Sequence, residues 1–203
     1  PLRELEQTLA EHAQMLACEP PHFGDSATLG GAVACGLSGP RRPYAGSVRD
    51  FVLGCRIING RGEVLRFGGE VMKNVAGYDV SRLMCGAMGT LGLLLDISMK
   101  VLPRPAMETT LAQECTAAAA LARMNAWAGR PLPLSAAMYD GEQLRFRLSG
   151  AANAVKAARQ HMGGEPVADA DRFWRDLREQ RHGFFAGAKS VWRLSLPPAS
   201  APL

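Results

Sequence analysis

The segment that decides the fold is residues 86–100, which read GAMGTLGLLLDISMK. Its glycines have the spacing G-x-x-G-x-x-G and lead into alternating apolar residues. The dinucleotide fingerprint of a Rossmann fold has the spacing G-x-G-x-x-G, follows a strand and opens a helix. Alternation with a period of two predicts a β-strand instead, so a Rossmann nicotinamide site is excluded. The expected strand has one buried face, which carries Leu93, Leu95, Ile97, Met99 and Val101.

Two more glycine clusters lie upstream, within the glycine-rich residues 22–46. They are Thr28-Leu29-Gly30-Gly31 and Gly36-Leu37-Ser38-Gly39. Glycine leaves backbone N–H groups bare, so that several can converge on a phosphate. A glycine pair by itself is more often a simple turn, and the region is expected to be ordered loop with short turns. The three clusters together favour a dinucleotide ligand.

The rest of the first part of the chain predicts a helix, a hairpin and a second short helix. Apolar residues recur at helical spacing from Leu2 to Leu16, and Pro20-Pro21 ends that helix. Residues 51–58 and 63–67 are rich in strand formers and flank turn residues 59–62, which indicates a β-hairpin. Asp79 is expected to cap a helix over residues 80–85, which Gly86 closes.

Beyond Pro103 and Pro105 the pattern of elements changes. Strand 109–115, helix 116–128, a strand pair around residues 139–142, helix 151–162, helix 170–182 and strand 190–196 are predicted. This order is close to βαββαβ, the ferredoxin-like layout in which helices cover one face of an antiparallel sheet. The chain is therefore expected to be α+β, with a domain boundary near residue 104.

Composition excludes several classes of function. The net charge is only +4 and no long run has one sign, so no nucleic-acid partner is expected. Arg41-Arg42 is as well explained by a solvated loop as by phosphate binding. The five cysteines and four histidines fit neither a disulfide framework nor a metal site, which indicates a reducing, cytoplasmic setting and no metal. No apolar run is long enough to predict a membrane span.

Five glycine-bearing motifs follow one another in a characteristic order. That succession resembles the FAD-binding fold of the vanillyl-alcohol oxidase and p-cresol methylhydroxylase (PCMH) superfamily. The flanking words EPPHFG at 19–24, LSGPRRP at 37–43 and FGGEVMKNVAGYD at 67–79 resemble the FAD-binding subunits of bacterial glycolate oxidases. The five motifs are Thr28-x-Gly30-Gly31, Gly36, Tyr44-x-Gly46-x-x-Arg49-Asp50, Lys73-Asn74-x-x-Gly77-Tyr78-Asp79 and Gly89-Thr90-Leu91-Gly92.

The resemblance implies the cofactor, the domains and the site. It implies the second half of a PCMH-type FAD-binding domain over residues 1–104, with its first subdomain missing, and part of a ferredoxin-like cap domain over 105–203. A truncated chain is therefore expected. FAD would lie extended along the glycine loops. The implied cofactor-binding residues are Thr28, Gly30, Gly31, Gly36, Ser38, Gly46, Lys73, Asn74, Gly89, Thr90 and Gly92.

The implied function is transfer of electrons from glycolate, or another small 2-hydroxy acid, through FAD to partner subunits. The implied partners are a second flavoprotein subunit and an iron–sulfur subunit, which could hold the cytoplasmic chain at the inner face of the membrane. Two alternatives stay open: a non-catalytic assembly subunit of that complex, and another oxidoreductase of the same superfamily. The sequence identifies no catalytic residue, which suits a reaction whose chemistry the cofactor performs.

Several single residues have competing interpretations. His22 could be an acid or base, but loop packing is favoured. Lys73 is equally well read as a cofactor contact or a surface charge, and Tyr78 is expected in the core. Nothing in the spacing supports a covalent flavin link at Cys35. Packing or subunit contacts are the expected roles of Trp127, Trp174 and Trp192.

Overall fold

The computed structural model describes residues 1–69 and 77–201, and the chain divides into two compact units, Pro1–Arg104 and Pro105–Leu203. The helices of the first unit are α1 (Leu2–Glu11), α2 (Leu29–Ala34), α3 (Arg42–Ala45), α4 (Val48–Phe51) and α5 (Val80–Leu83). Its strands are β1 (Gln14–Met15), β2 (Val52–Ile58), β3 (Val64–Gly68), β4 (Leu93–Met99) and β5 (Leu102–Pro103).

The predicted hairpin and the predicted strand form one antiparallel sheet in the order β3-β2-β4, which confirms both. Helices α1, α2 and α4 contribute Leu2, Val33, Val48 and Phe51 to a core that includes Val52 at the start of β2. Burial of this apolar surface is what holds short helices in place, since helices of four to ten residues are marginal alone. The Asp79 cap is also confirmed, because its carboxylate accepts a hydrogen bond from the Arg82 N–H.

The prediction of which β4 side chains are buried is wrong for the first half of the strand. Arg56 pairs with Asp96, but Ile57 pairs with Leu94, so Leu95 is an extra residue that forms a β-bulge. The bulge reverses which side chains of β4 face the core. Leu94 therefore packs against the core, in place of Leu93 and Leu95. Leu93 and Leu95 are 64% and 42% exposed.

Two helix boundaries in the first unit differ from those expected. The predicted helix to Leu16 ends at Glu11, because Ala13 adopts a left-handed conformation (φ 53°) and Gln14 and Met15 then pair with β5. Residues 22–46 were expected to be loop, but they contain α2 and α3. Apolar contacts with the core override the weak helix propensity of the glycines in α2.

The second unit has the predicted βαββαβ core. It comprises β6 (Met107–Glu114), α6 (Ala117–Ala128), β7 (Leu134–Tyr139), β8 (Gln143–Gly150), α7 (Ala152–Met162) and β9 (Glu165–Pro166), followed by α8 (Ala170–Arg178) and a 3₁₀ helix (Gly183–Phe185). The strands are antiparallel in the order β7-β8-β6-β9, which is the ferredoxin-like arrangement.

Aromatic residues anchor both faces of this second sheet. On one face the Trp127 ring lies 4.7 Å from that of Phe146. On the other, Trp174 Nε1 donates to Thr110 Oγ1 at 2.8 Å, and the Arg147 guanidinium lies 5.2 Å from the Trp174 ring. The expected packing role is confirmed for Trp127 and Trp174, whereas Trp192 is 87% exposed.

Two predictions for the second unit are wrong. The last strand of the sheet is β9, which pairs with β6, and residues 190–196 form no strand. Helix α8 ends at Arg178 rather than at residue 182, because the Arg181 and His182 N–H groups both turn back to Asp176 O. Local alternation of apolar residues therefore does not make a strand unless a neighbouring strand supplies hydrogen-bond partners.

Candidate functional site

The first turn of α2 presents bare backbone. The Thr28 side chain caps the helix, since its Oγ1 accepts a hydrogen bond from the Gly31 N–H at 3.0 Å. The preceding N–H groups, of Leu29 and Gly30, belong to the turn that has no intrahelical acceptors. A Cβ atom at Gly30 would meet no protein atom within 4 Å. The backbone here is open to a ligand and free of crowding from the protein.

The third glycine cluster is joined to the last turn of α2. The Gly86 N–H donates to Val33 O at 3.0 Å, and the Met88 N–H donates to Ala34 O at 2.9 Å. A Cβ atom at Gly36 would lie 3.4 Å from Gly86 Cα. The fold thus brings together glycine clusters that are far apart in the sequence, as a shared ligand requires.

Within the third cluster, Gly89 and Thr90 differ in their surroundings. Gly89 has a φ of 77° and would have no protein atom within 4 Å of an added Cβ. Thr90 Oγ1 donates to Ala87 O at 2.6 Å, so its hydroxyl proton is used within the turn. Gly89 is open to a ligand, whereas Thr90 closes the loop.

Ser38 and Gly46 have internal roles around α4. Ser38 Oγ accepts a hydrogen bond from the Val48 N–H at 2.9 Å. Gly46 has a φ of 107°, and a Cβ atom there would lie 3.0 Å from Asp50 Oδ2. Asp50 Oδ2 in turn accepts from the Ser47 N–H at 2.7 Å and from Ser47 Oγ at 2.8 Å, which completes a capping box.

The capping box makes stability depend on pH. Hydrogen bonds from the Ser47 side chain and backbone lower the pKa of Asp50 below its ordinary 3.8. A depressed folded-state pKa contributes stability above the unfolded-state pKa, and that contribution is lost as the pH falls through the folded value. We expect Asp50→Asn to lower the free energy of unfolding by about 1 kcal/mol or less at neutral pH, because the exposed carboxylate is screened by solvent.

Urea unfolding of the wild type and Asp50→Asn at neutral pH and below pH 3.8 checks this expectation. The difference between the two proteins should shrink as the pH falls through the folded-state pKa of Asp50, which lies below 3.8, because the carboxylate is then protonated. A difference that stays constant over this pH range would contradict the assignment. Asp25→Asn, at a highly exposed surface carboxylate, is the control.

Gly92 is also explained by packing. Its φ is 147°, and a Cβ atom would lie 2.6 Å from Ile58 O in the neighbouring strand. Any side chain at this position would separate β4 from β2. Gly92, like Ser38 and Gly46, was predicted to bind the cofactor. At these three positions, contacts within the protein already explain the residue type.

Other predicted residues lie elsewhere. Lys73 and Asn74 fall outside the described residues. His22 contacts α1, with Nε2 2.9 Å from Glu6 Oε2, so it has a packing contact, which the sequence favoured over an acid–base role. Tyr78 is 95% exposed, so the expectation of a core position is wrong. It precedes the Asp79 cap and lies outside α5, whose buried residue is Ser81.

Cys35 is exposed beside α2, whereas Cys18 and Cys85 are buried or half-buried. Burial raises the pKa of the Cys18 thiol to about 12 and that of Cys85 to about 11. Neither is a reactive thiolate near neutral pH. Residues 1–69 and 77–201 contain no cluster of potential metal ligands.

Sequence reasoning missed one buried ion pair. A solvated loop and phosphate binding were the two interpretations of Arg41, but its side chain is only 9% exposed and its Nε lies 3.1 Å from Glu19 Oε1. The Arg41 N–H also donates to Glu19 Oε2 at 3.0 Å. No local pattern links residues so far apart, and the flanking prolines indicated only a turn.

Comparisons with known proteins agree with this geometry. Residues 1–68 match the FAD binding domain family FAD_binding_4. The chain is 55% identical over all 203 residues to glycolate oxidase subunit GlcE of Escherichia coli, of which it spans 57%. The resemblance to FAD-binding subunits of glycolate oxidase and the prediction of an FAD-binding region are confirmed.

The matches to more distant relatives cover less of the chain. Glycolate oxidase subunit GlcD of Bacillus subtilis is 38% identical over 84 residues, which are 41% of this chain and 18% of that protein. A D-lactate dehydrogenase of Anaerostipes hadrus is 38% identical over 87 residues, 42% of this chain and 18% of that protein. The names of these relatives describe oxidation of 2-hydroxy acids.

Solved structures support the fold. Two crystal structures of alkyldihydroxyacetonephosphate synthase superpose with TM-scores of 0.64 and 0.66 at 19% sequence identity. They cover 88% of this chain, and the chain covers 43% and 41% of theirs. The predicted α+β, PCMH-type fold is confirmed.

Among the residues that the structure describes, no helix is long and apolar enough to cross a membrane.

Proposed function

We propose that this chain supplies part of the FAD site in an FAD-dependent oxidoreductase that oxidises glycolate or a related 2-hydroxy acid. The main support is the 55% identity to GlcE along the whole chain. The bound cofactor would supply the hydride-accepting chemistry, and the protein would supply binding and orientation. The first unit (1–104) is the FAD-binding part in this proposal, and the second (105–203) is part of the cap domain.

The open backbone around α2 is the proposed cofactor contact. The proposed contacts lie at both ends of α2. Thr28, Gly30 and Gly31 are at its first turn, and Gly36 and Gly89 are near its last turn, where the third cluster is bonded to the helix. The Leu29 and Gly30 N–H groups, in the first turn of α2 where helices have no intrahelical acceptors, suit a pyrophosphate, because such donors gain charge-assisted hydrogen bonds when the anion binds. Ser38, Gly46, Thr90 and Gly92 would shape the loops that hold these donors. Lys73 and Asn74 remain predicted contacts.

The partners and the location of the complex are further proposals. The chain would work with a second flavoprotein subunit, related to GlcD, and with an iron–sulfur subunit that receives electrons. Association with these subunits would place it on the cytoplasmic side of the membrane. A non-catalytic role in assembling that complex is the second candidate.

Flavin retention is the first test of the proposal. The purified protein is incubated with FAD, desalted and examined by visible absorbance before and after glycolate is added. Retained flavin that bleaches with glycolate supports the oxidoreductase. A protein that restores a partner's activity without bleaching, whether or not it retains flavin, supports the assembly role. Absence of flavin together with no effect on a partner contradicts both roles.

Gly30→Val should weaken FAD binding without unfolding the protein. The Cβ atom of the new side chain meets no protein atom within 4 Å, and the bulk of valine blocks approach to the N–H groups of α2. Loss of one charge-assisted hydrogen bond corresponds to about tenfold or more in affinity. Gly60→Val, in the open hairpin turn, is the matched control. Equal FAD affinity of the two variants in a fluorescence titration would remove α2 from the proposed site.

A further inference from the structure

Met88 is the most exposed apolar side chain in the loop that joins the third glycine cluster to α2. It has a φ of 53° and is 68% exposed. A left-handed conformation is unfavourable for a residue with a Cβ atom, and glycine avoids the cost. Gly86 and Gly89 on either side have left-handed conformations without that cost. Methionine at 88 therefore carries strain that glycine would relieve.

The surrounding loop is held firmly enough to impose this strain. The Met88 N–H donates to Ala34 O, the Gly86 N–H donates to Val33 O, and Thr90 Oγ1 closes the turn on Ala87 O. These bonds fix the backbone of Met88 against the last turn of α2 while its side chain projects into solvent. The side chain gains little from burial within the protein, so protein packing does not offset the strain.

Residues held in strained backbone conformations cluster at active sites and ligand clamps. The loop is bonded to the last turn of α2 and contains Gly89, an open glycine of the proposed cofactor contact. A thioether is polarisable and makes favourable contacts with planar aromatic rings. FAD has two such ring systems, the isoalloxazine and the adenine.

We propose that the Met88 side chain packs against a ring of bound FAD, held in place by its strained backbone. This inference rests on the proposed function and adds a contact that the glycines do not provide. The backbone donors would bind the anionic part of the cofactor, and Met88 would cover an apolar part. The strain is then offset only in the complex.

The test compares Met88→Gly with Gln180→Gly. Gln180 is also exposed and left-handed, with a φ of 55°, but it lies in the second unit. Without FAD, both variants should raise the melting temperature by about 2 °C, because each relieves an unfavourable φ. With FAD, Met88→Gly should weaken affinity by about tenfold, whereas Gln180→Gly should leave it unchanged and Met88→Leu should retain most of it.

Four outcomes separate the explanations. Higher apo stability with weaker FAD binding in Met88→Gly supports the proposal, and a parallel titration with FMN shows whether the contacted ring is the isoalloxazine. Higher stability with unchanged affinity overturns it. Lower apo stability also overturns it, since Met88 would then pack against the protein. A wild-type protein that binds no FAD overturns the proposed function and this contact together.

Discussion

Glu19→Ala is expected to lower the free energy of unfolding by about 3–5 kcal/mol, because it leaves a buried guanidinium without its carboxylate. Glu19 and Arg41 have side chains only 17% and 9% exposed. One carboxylate oxygen binds Arg41 Nε at 3.1 Å and the other binds its backbone N–H at 3.0 Å. Removal of Glu19 therefore affects a side chain and the backbone of the loop.

The same loop is attached to residues 18–19 by a close backbone contact. The Gly39 N–H donates to Cys18 O at 2.8 Å, and a Cβ atom at Gly39 would lie 2.2 Å from Glu19 O. The ion pair thus orients the segment that leads into α3 and α4. Loss of the ion pair should also loosen the backbone around Ser38. Weaker FAD binding should therefore accompany the loss of stability.

Chemical denaturation of Glu19→Ala beside Asp25→Ala measures this effect. Asp25 pairs with Arg3 at the surface, with side chains 88% and 65% exposed, so its loss should change stability by less than about 1 kcal/mol. Similar stabilities of the two variants would show that the buried pair contributes no more than a surface pair. A double variant, Glu19→Ala with Arg41→Met, should recover part of the loss, because no charge is then left buried.

Gly92→Ala is expected to destabilise the protein by about 3 kcal/mol even without FAD, through strain and a steric clash with Ile58 O. The contact of 2.6 Å is with backbone in β2, which cannot move aside without breaking the pairing with β4. The residue was predicted from the sequence to bind cofactor. A structural role predicts a loss that is independent of FAD.

Gly89→Ala is the matched control for Gly92→Ala. Gly89 also has a positive φ, 77°, but no protein atom lies within 4 Å of the added Cβ. It should cost about 1–2 kcal/mol, the strain of a left-handed alanine alone. The excess loss in Gly92→Ala, measured by thermal unfolding of the apo proteins, is then due to the contact with Ile58 O and to the different positive φ of 147°. No excess would mean that β4 can move away from β2.

The sequence alone was enough for the fold class, because local patterns carry that information. The hairpin turn at residues 59–62, the Asp79 cap and the alternation after Gly92 are each encoded within a few residues. The order of elements after Pro105 likewise indicated the ferredoxin-like unit. The glycine motifs, in their order, indicated the FAD-binding family that the comparisons support.

Only the tertiary structure decided which residues of those motifs are open to a ligand. Gly30 and Gly92 look alike in sequence, but one faces open space and the other a carbonyl oxygen of β2. The bulge at Leu95, the burial of Arg41 by Glu19 and the exposure of Tyr78 also depend on distant parts of the chain. Turns and periodicity arise from neighbouring residues, whereas burial, bulges and ion pairs arise from contacts between distant segments, which no local pattern records.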